Sequence, residues 1–220
     1  MLTLYGCYRS RASRPLWLLH EIEIPFIHVP VIQAYRLADP LAPGAPLNTD
    51  SPGFREINPQ GEIPAFEEGG LVLTESLAIT QHIARAHGRD RGPIGLAEEG
   101  LADQWGFMGA TALETPGLEI YFTYADRKAD TPAGQDRIAA AADRMHRPLR
   151  RLELHLRRHG DWLMGQRFTV ADIMVAECLR YGATHKPLLA PFPDVQAWLT
   201  RCHARPAFRA MWEKRLAEPG

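Results

Sequence analysis

The apolar positions of this chain change their period once. Up to about residue 86 short apolar runs alternate with helical stripes, and from Leu96 onward no strand pattern appears. Leu2-Thr3-Leu4-Tyr5 reads as a strand stopping at Gly6. Leu16, Leu19 and Ile22, widened by Leu18, share one helical face, so a helix starts at Ser13 or a neighbour, tolerates Pro15 in its first turn and ends before Pro25. Residues 26–31 read as a second strand, and the three elements together predict a βαβ unit with a parallel pair. Residues 63–66 and 71–73, joined by Glu67-Glu68-Gly69-Gly70, predict an antiparallel hairpin. Ala78, Ile79, Ile83 and Ala84 mark the helix after it. Between these lies residues 33–53, proline-rich and long for a loop, which suggests a functional or mobile segment.

The second part predicts helices over 101–124, 136–159, 169–181, 195–203 and 206–216. In one of them Met145, Leu149, Leu152 and Leu156 form the stripe, and Pro148 predicts a bend or a split. Gly88, Gly92, Pro93 and Gly95 mark a linker. The expected organisation is an α/β domain over 1–86, a linker over 87–95 and an all-helical domain over 96–220.

Charge narrows the partners. Twenty-five Lys+Arg against 26 Asp+Glu leave a net charge of −1, so the global balance carries no nucleic-acid footprint. No run approaches the ~18 apolar residues of a membrane span, and the N-terminus lacks the basic-then-apolar pattern of a signal peptide. Cys7, Cys178 and Cys202 are odd in number and far apart, which fits neither a disulfide framework nor a zinc site. His155 and His159 lie four apart without a third ligand, so no metal is expected. The expectation is a soluble cytoplasmic protein with neither nucleic acid nor membrane as partner.

Three segments carry candidate chemistry. Cys7-Tyr8-Arg9-Ser10 follows a parallel strand and leads into a helix, where free N–H groups hold a phosphate, a carboxylate or a thiolate. It also has the C-x-x-S spacing of a one-cysteine redox site, although a small buried residue ending a strand reads alike. Ile63-Pro64 stands where the chain turns into a strand. A cis peptide there aims the backbone of Ile63 at a ligand backbone, and an ordinary edge-strand proline is the plainer reading. Glu75-Ser76 opens a helix. Ser76 suits an N-cap or a carboxylate receptor, and Glu75 a solvated side chain or an ammonium receptor.

In this order the three segments resemble the N-terminal domain of glutathione transferases, and the resemblance covers essentially the whole chain. Asn58-Pro59-Gln60-Gly61-Glu62-Ile63-Pro64-Ala65-Phe66 is similar to the family's N-P-x-G-x-[IV]-P-x-[FL] segment. Leu73-Thr74-Glu75-Ser76-Leu77-Ala78-Ile79 is similar to its L-x-[ED]-S-x-A-I segment. Thr169-Val170-Ala171-Asp172 resembles its S/T-x-A-D motif, which has the spacing of a capping box, with Phe168 and Ile173 placed as the hydrophobic staple.

The resemblance implies a thioredoxin-like α/β domain (βαβ then ββα, with a mixed sheet) and an all-α domain contributing the electrophile site. It implies glutathione as co-substrate, a small-molecule electrophile, and a homodimer built on the hairpin side and the helix from Leu101. The Ile63 backbone, beside a cis Pro64, would pair with the cysteinyl backbone of glutathione. Glu75 and Ser76 would hold its γ-glutamyl end, and Gln60 or Arg36 its glycyl carboxylate. Leu4-Tyr5-x-x-Tyr8-Arg9-Ser10 resembles the zeta pattern L-Y-x-x-F-R-S among serine-type (theta and zeta) members. Ser10 is therefore expected to donate to the thiolate, with Ser13 as the helix N-cap and Tyr5 turned into the sheet. A catalytic Cys7 would instead make a glutathione-dependent thiol–disulfide oxidoreductase. That reading ranks second because the omega-type C-P-[FY] signature is absent, and a non-catalytic binding module ranks third. Glu62 departs from the pattern, standing where the family often has Lys or Gln.

Overall fold

Four short strands form one mixed sheet in the order β2-β1-β3-β4. They are β1 (Thr3–Tyr5), β2 (Ile27–Val29), β3 (Ala65–Glu68) and β4 (Leu71–Leu73). β1 pairs in parallel with β2 and antiparallel with β3, which pairs antiparallel with β4. The computed structural model that shows this describes residues 1–218. The strands deliver the predicted parallel pair and hairpin, and Gly69 and Gly70 both take the positive φ that the two-residue turn requires.

Strand alternation separates two buried faces. Leu4 and Phe66 are register partners, both fully buried, and the Phe66 ring meets His82 edge-on at 5.3 Å. His82 belongs to α3 (Ser76–His87), which packs against α1 (Ser13–Ile22). The opposite face is built on Val31, Phe54 and Ala65, with Tyr5, Val29, Ile57 and Ile63 around them. Phe54 and Ile57 come from α2 (Pro52–Ile57), a six-residue helix at the end of the segment read as loop. One and a half turns are too short to show a helical period.

By packing, the chain divides into Met1–Arg89 with the segment from Pro206 onward, and Asp90–Arg205. The first division falls inside the expected linker. The second, at Arg205/Pro206, differs from the sequence reading, which assigned all of 96–220 to the helical domain. The last helix, α9 (Pro206–Ala217), lies on α1, where Phe208 meets the fully buried Trp17 edge-on at 4.8 Å. Trp17 needs a cover that the small sheet does not supply, and α9 provides it.

The other unit is helical throughout. α4 (Gly95–Met108) continues through a π-helical stretch, Gly109–Glu114, into α5 (Thr115–Ala125). Pro116 falls in the first turn of α5 and does not interrupt the path. α6 (Pro132–His159) runs past Pro148 without the predicted split, and its start is capped by the Thr131 hydroxyl, which accepts from the Gly134 N–H at 3.1 Å. α7 (Val170–Gly182) is the buried centre, packed by α4, α5 and α8 (Pro193–Ala204). Its capping box is complete. Asp172 accepts from the Thr169 N–H at 2.9 Å, and also from the Leu163 N–H at 2.9 Å and Trp198 Nε1 at 2.8 Å. Phe168 and Ile173 are both buried, as the staple requires. None of the described helices is long and apolar enough to cross a membrane.

Candidate functional site

The sheet topology gathers the three candidate segments at one edge. Tyr5 at the end of β1 is level with Val29 at the end of β2 and Ala65 at the start of β3, and Leu73 at the end of β4 is level with Phe66. The residues just beyond these points are Gly6–Ser10, Val31–Arg36, Ile63-Pro64 and Glu75-Ser76. Strand directions alone therefore bring them together.

The loop after β1 is tightly tied. Gly6 has φ +147°, and a Cβ there would stand 2.9 Å from Ala12 Cβ, so glycine is required by the close approach of Ala12 and by the backbone conformation. The Ser10 hydroxyl donates to the Cys7 carbonyl at 2.7 Å and accepts from the Ala12 N–H at 3.0 Å. Ser10, not Ser13, thus satisfies the start of α1. Ser13 is the first helical residue and fully buried, and the residue at the N-cap position is Ala12, which has no capping side chain. Tyr5 turns away from the loop and its hydroxyl donates to Glu67 at 3.1 Å.

Cys7 is buried beside the same loop, 4% exposed. Its Sγ donates to Gln33 Oε1 at 3.3 Å, and the Arg36 guanidinium stands 3.9 Å from the sulfur. Burial pushes the thiol up, and the Glu218 carboxylate adds to this. The Arg36 cation, the Ser10 hydroxyl and the Arg9 backbone pull it down. The raised value does not favour Cys7 as a resting thiolate nucleophile.

The Ile63–Pro64 bond is cis, as the sequence suggested. Asn58 shapes the turn before it. Its Nδ2 donates to the Glu62 carbonyl at 2.7 Å and its Oδ1 accepts from the Gln60 N–H at 3.2 Å. Gln60 and Glu62 themselves are exposed. Glu75 is exposed with φ +66° and ψ 109°, a backbone conformation that side chains rarely adopt, and it makes no capping bond. Ser76 is buried, and its hydroxyl accepts from Arg14 Nη1 at 2.8 Å.

The structure thus brings Ser10, Ile63, Pro64 and Ser76 to one edge with Cys7 and Arg36. Glu75 and Gln60 lie at that edge facing solvent. Arg14, Gln33 and Glu218 belong to the group and were missed. Among the described residues no three His, Cys, Asp or Glu side chains gather as a metal set. His155 instead bonds the Leu163 carbonyl at 2.9 Å and packs edge-on against Trp105.

Comparison with known proteins adds the family context. Residues 4–91 match a family model described as Glutathione S-transferase, N-terminal domain, and residues 114–206 one described as Glutathione S-transferase, C-terminal domain. A glutathione S-transferase of Hyoscyamus muticus is 31% identical over 171 residues, 74% of this chain and 77% of that protein. Glutathione transferase F7 from Populus trichocarpa superposes with a TM-score of 0.78 at 27% identity, over 98% of this chain and 99% of that one. The theta class glutathione S-transferase of Xanthomonas axonopodis pv. citri, solved with glutathione bound, gives 0.74 at 28% identity over 95% of each chain.

Proposed function

Since the chain belongs to the glutathione S-transferase family, we propose that it is a serine-type transferase in which Ser10 stabilises the glutathione thiolate for attack on an electrophilic small molecule. The observation that carries this reading is the common edge of the sheet, at which the segments carrying the Ser10 hydroxyl, the cis Ile63–Pro64 bond and Ser76 all leave or enter their strands. The thiol proton leaves to solvent. The sulfur lone pair then forms the new carbon–sulfur bond, and the leaving group departs with its electron pair, or an addition product takes a proton from water. Ser10 gives a hydrogen bond and keeps its proton. Its donor now rests on the Cys7 carbonyl, and turning to the sulfur exchanges one acceptor for another while the bond from Ala12 remains.

In the same reading the Ile63 backbone pairs with the cysteinyl backbone of glutathione, and Glu75 and Ser76 receive its γ-glutamyl end. Arg36 or Gln60 receives the glycyl carboxylate. The positive φ of Glu75 supports this assignment, because strain of ~1–3 kcal/mol persists where a ligand makes use of it. Calorimetric titration tests it. Glu75→Gly should bind glutathione ten- to a hundredfold more weakly, the loss of a charge-assisted hydrogen bond, and unchanged affinity would refute the placement.

The reading includes a homodimer. β4 is an edge strand exposing Leu71 and Val72, and α4 exposes Leu101 and Phe107, apolar surface that a second copy would cover. Sedimentation showing only monomer at micromolar concentration would remove that part.

A further inference from the structure

The end of α9 holds the thiol loop by its backbone. Glu218 takes two N–H groups, from Tyr8 at 2.6 Å and from Arg9 at 2.7 Å, one on each carboxylate oxygen. Arg215 Nη1 donates to the Tyr8 carbonyl at 2.5 Å, and Arg9 Nε donates to the Arg215 carbonyl at 3.0 Å. A carboxylate accepting two backbone N–H bonds on adjacent residues is a strong, geometrically specific contact. It sits on a loop whose next residue is Ser10, with Cys7 on the other side.

We propose that Glu218 is a charge brake on the thiol loop: held on the Tyr8 and Arg9 N–H groups, its carboxylate opposes thiolate formation there by its negative charge. The inference rests on the reading of Ser10 as the thiol-stabilising hydroxyl. It goes beyond that reading by giving the residue after α9 a part in setting the thiol's acidity.

The charges around the loop make the sign definite. Arg36 comes from the segment after β2, Arg9 from the loop itself, Lys214 and Arg215 from α9, and Glu218 from the residue that follows it. His28 of β2 bonds the Gly6 carbonyl at 2.9 Å, and His20 of α1 stacks on Tyr8 with its ring held neutral further into acid by burial. Of these groups only Glu218 is an anion, and it is the one that pushes the Cys7 thiol up alongside burial. Tyr8 reports the same field, since burial and the Glu218 charge raise its phenol to about 12. Removing that charge should therefore lower the pKa of any thiol at the loop.

The test compares wild type, Glu218→Gln and Glu218→Ala, each with and without Cys7→Ala. Subtracting the Cys7→Ala titration isolates the Cys7 thiolate absorbance in the absence of glutathione. Its pKa should fall by about 1 unit in both variants, the size expected for one charge lost at close range. With glutathione bound, its thiol pKa should fall in the same direction, while affinity for S-methylglutathione, which has no thiol proton, changes less than about twofold. A Cys7 pKa that stays put or rises in both variants overturns the brake. The Ser10 reading fails separately: if Cys7 responds to Glu218→Gln but the bound glutathione thiol ignores Ser10→Ala, the brake stands and the catalytic hydroxyl does not.

Discussion

The helices α7 and α3 begin in opposite ways. α7 starts in the helical unit on a full capping box, with Thr169 and the buried Asp172 satisfying one another and Asp172 also holding Leu163 and Trp198. α3 starts in the sheet unit with no capping side chain, after a Glu75 held at φ +66°, and the Ser76 hydroxyl faces a buried arginine. Both begin with the sequence signature of a cap. The difference is that α7 spends its polar groups on its own cap, whereas α3 begins without one, after a residue at positive φ. A helix start that closes on itself stabilises the protein, and one left unfinished offers groups to a ligand.

The largest effect that would break this contrast is on stability at α7. Asp172→Ala strands three buried donors and should cost about 4 kcal/mol in denaturant unfolding. A loss below about 1 kcal/mol would mean that the box is ornamental.

Acid should expose a second structural group of the helical unit. Burial lowers His203 of α8 to about 4, from an ordinary 6.5. Above pH 6.5 the ring is neutral in both states. As pH falls from 6.5 toward 4 the unfolded chain binds a proton that the folded chain refuses, so stability is lost in that window, by at most about 3 kcal/mol. Asp172, pushed up to about 6 by burial, contributes the opposite slope. It does so equally in a His203→Gln variant, which should therefore unfold with a shallower acid slope than wild type. Equal slopes would place the acid sensitivity elsewhere.

Glu75→Gly, the smallest stability effect, sharpens the comparison from the other side. Glycine relieves the positive φ, so the variant should gain about 1 kcal/mol of stability while losing glutathione affinity. A variant that loses both would make the Glu75 conformation structural.

What could be read from the sequence follows how local its causes are. The hairpin and the α7 box are made by neighbours in the chain, and their residues announce them, whereas the cis Ile63–Pro64 bond followed from the family resemblance and not from its own residues. The partners of the site are not local. Arg14 meets Ser76 across 62 residues, Cys7 meets Gln33 across 26, and Tyr8 meets Glu218 across 210. These pairs exist only once the sheet has ordered its strands and Trp17 has drawn α9 onto α1. The same packing moved α9 out of the domain to which its helical pattern assigned it. Ser13 was misread as the N-cap because the turn from Cys7 to Ala12 already begins the helix, with Ser10 inside it taking the free N–H.

The account turns on the Ser10 hydroxyl, and ultraviolet titration of bound glutathione in wild type and Ser10→Ala tests it most directly. The thiol pKa should rise in the variant and kcat should fall by about a hundredfold, the low end for a lost oxyanion-type donor because Arg36 and the loop backbone remain. Affinity for S-methylglutathione should change little. An unchanged thiol pKa in Ser10→Ala, or activity abolished by Cys7→Ala alone, would contradict the account.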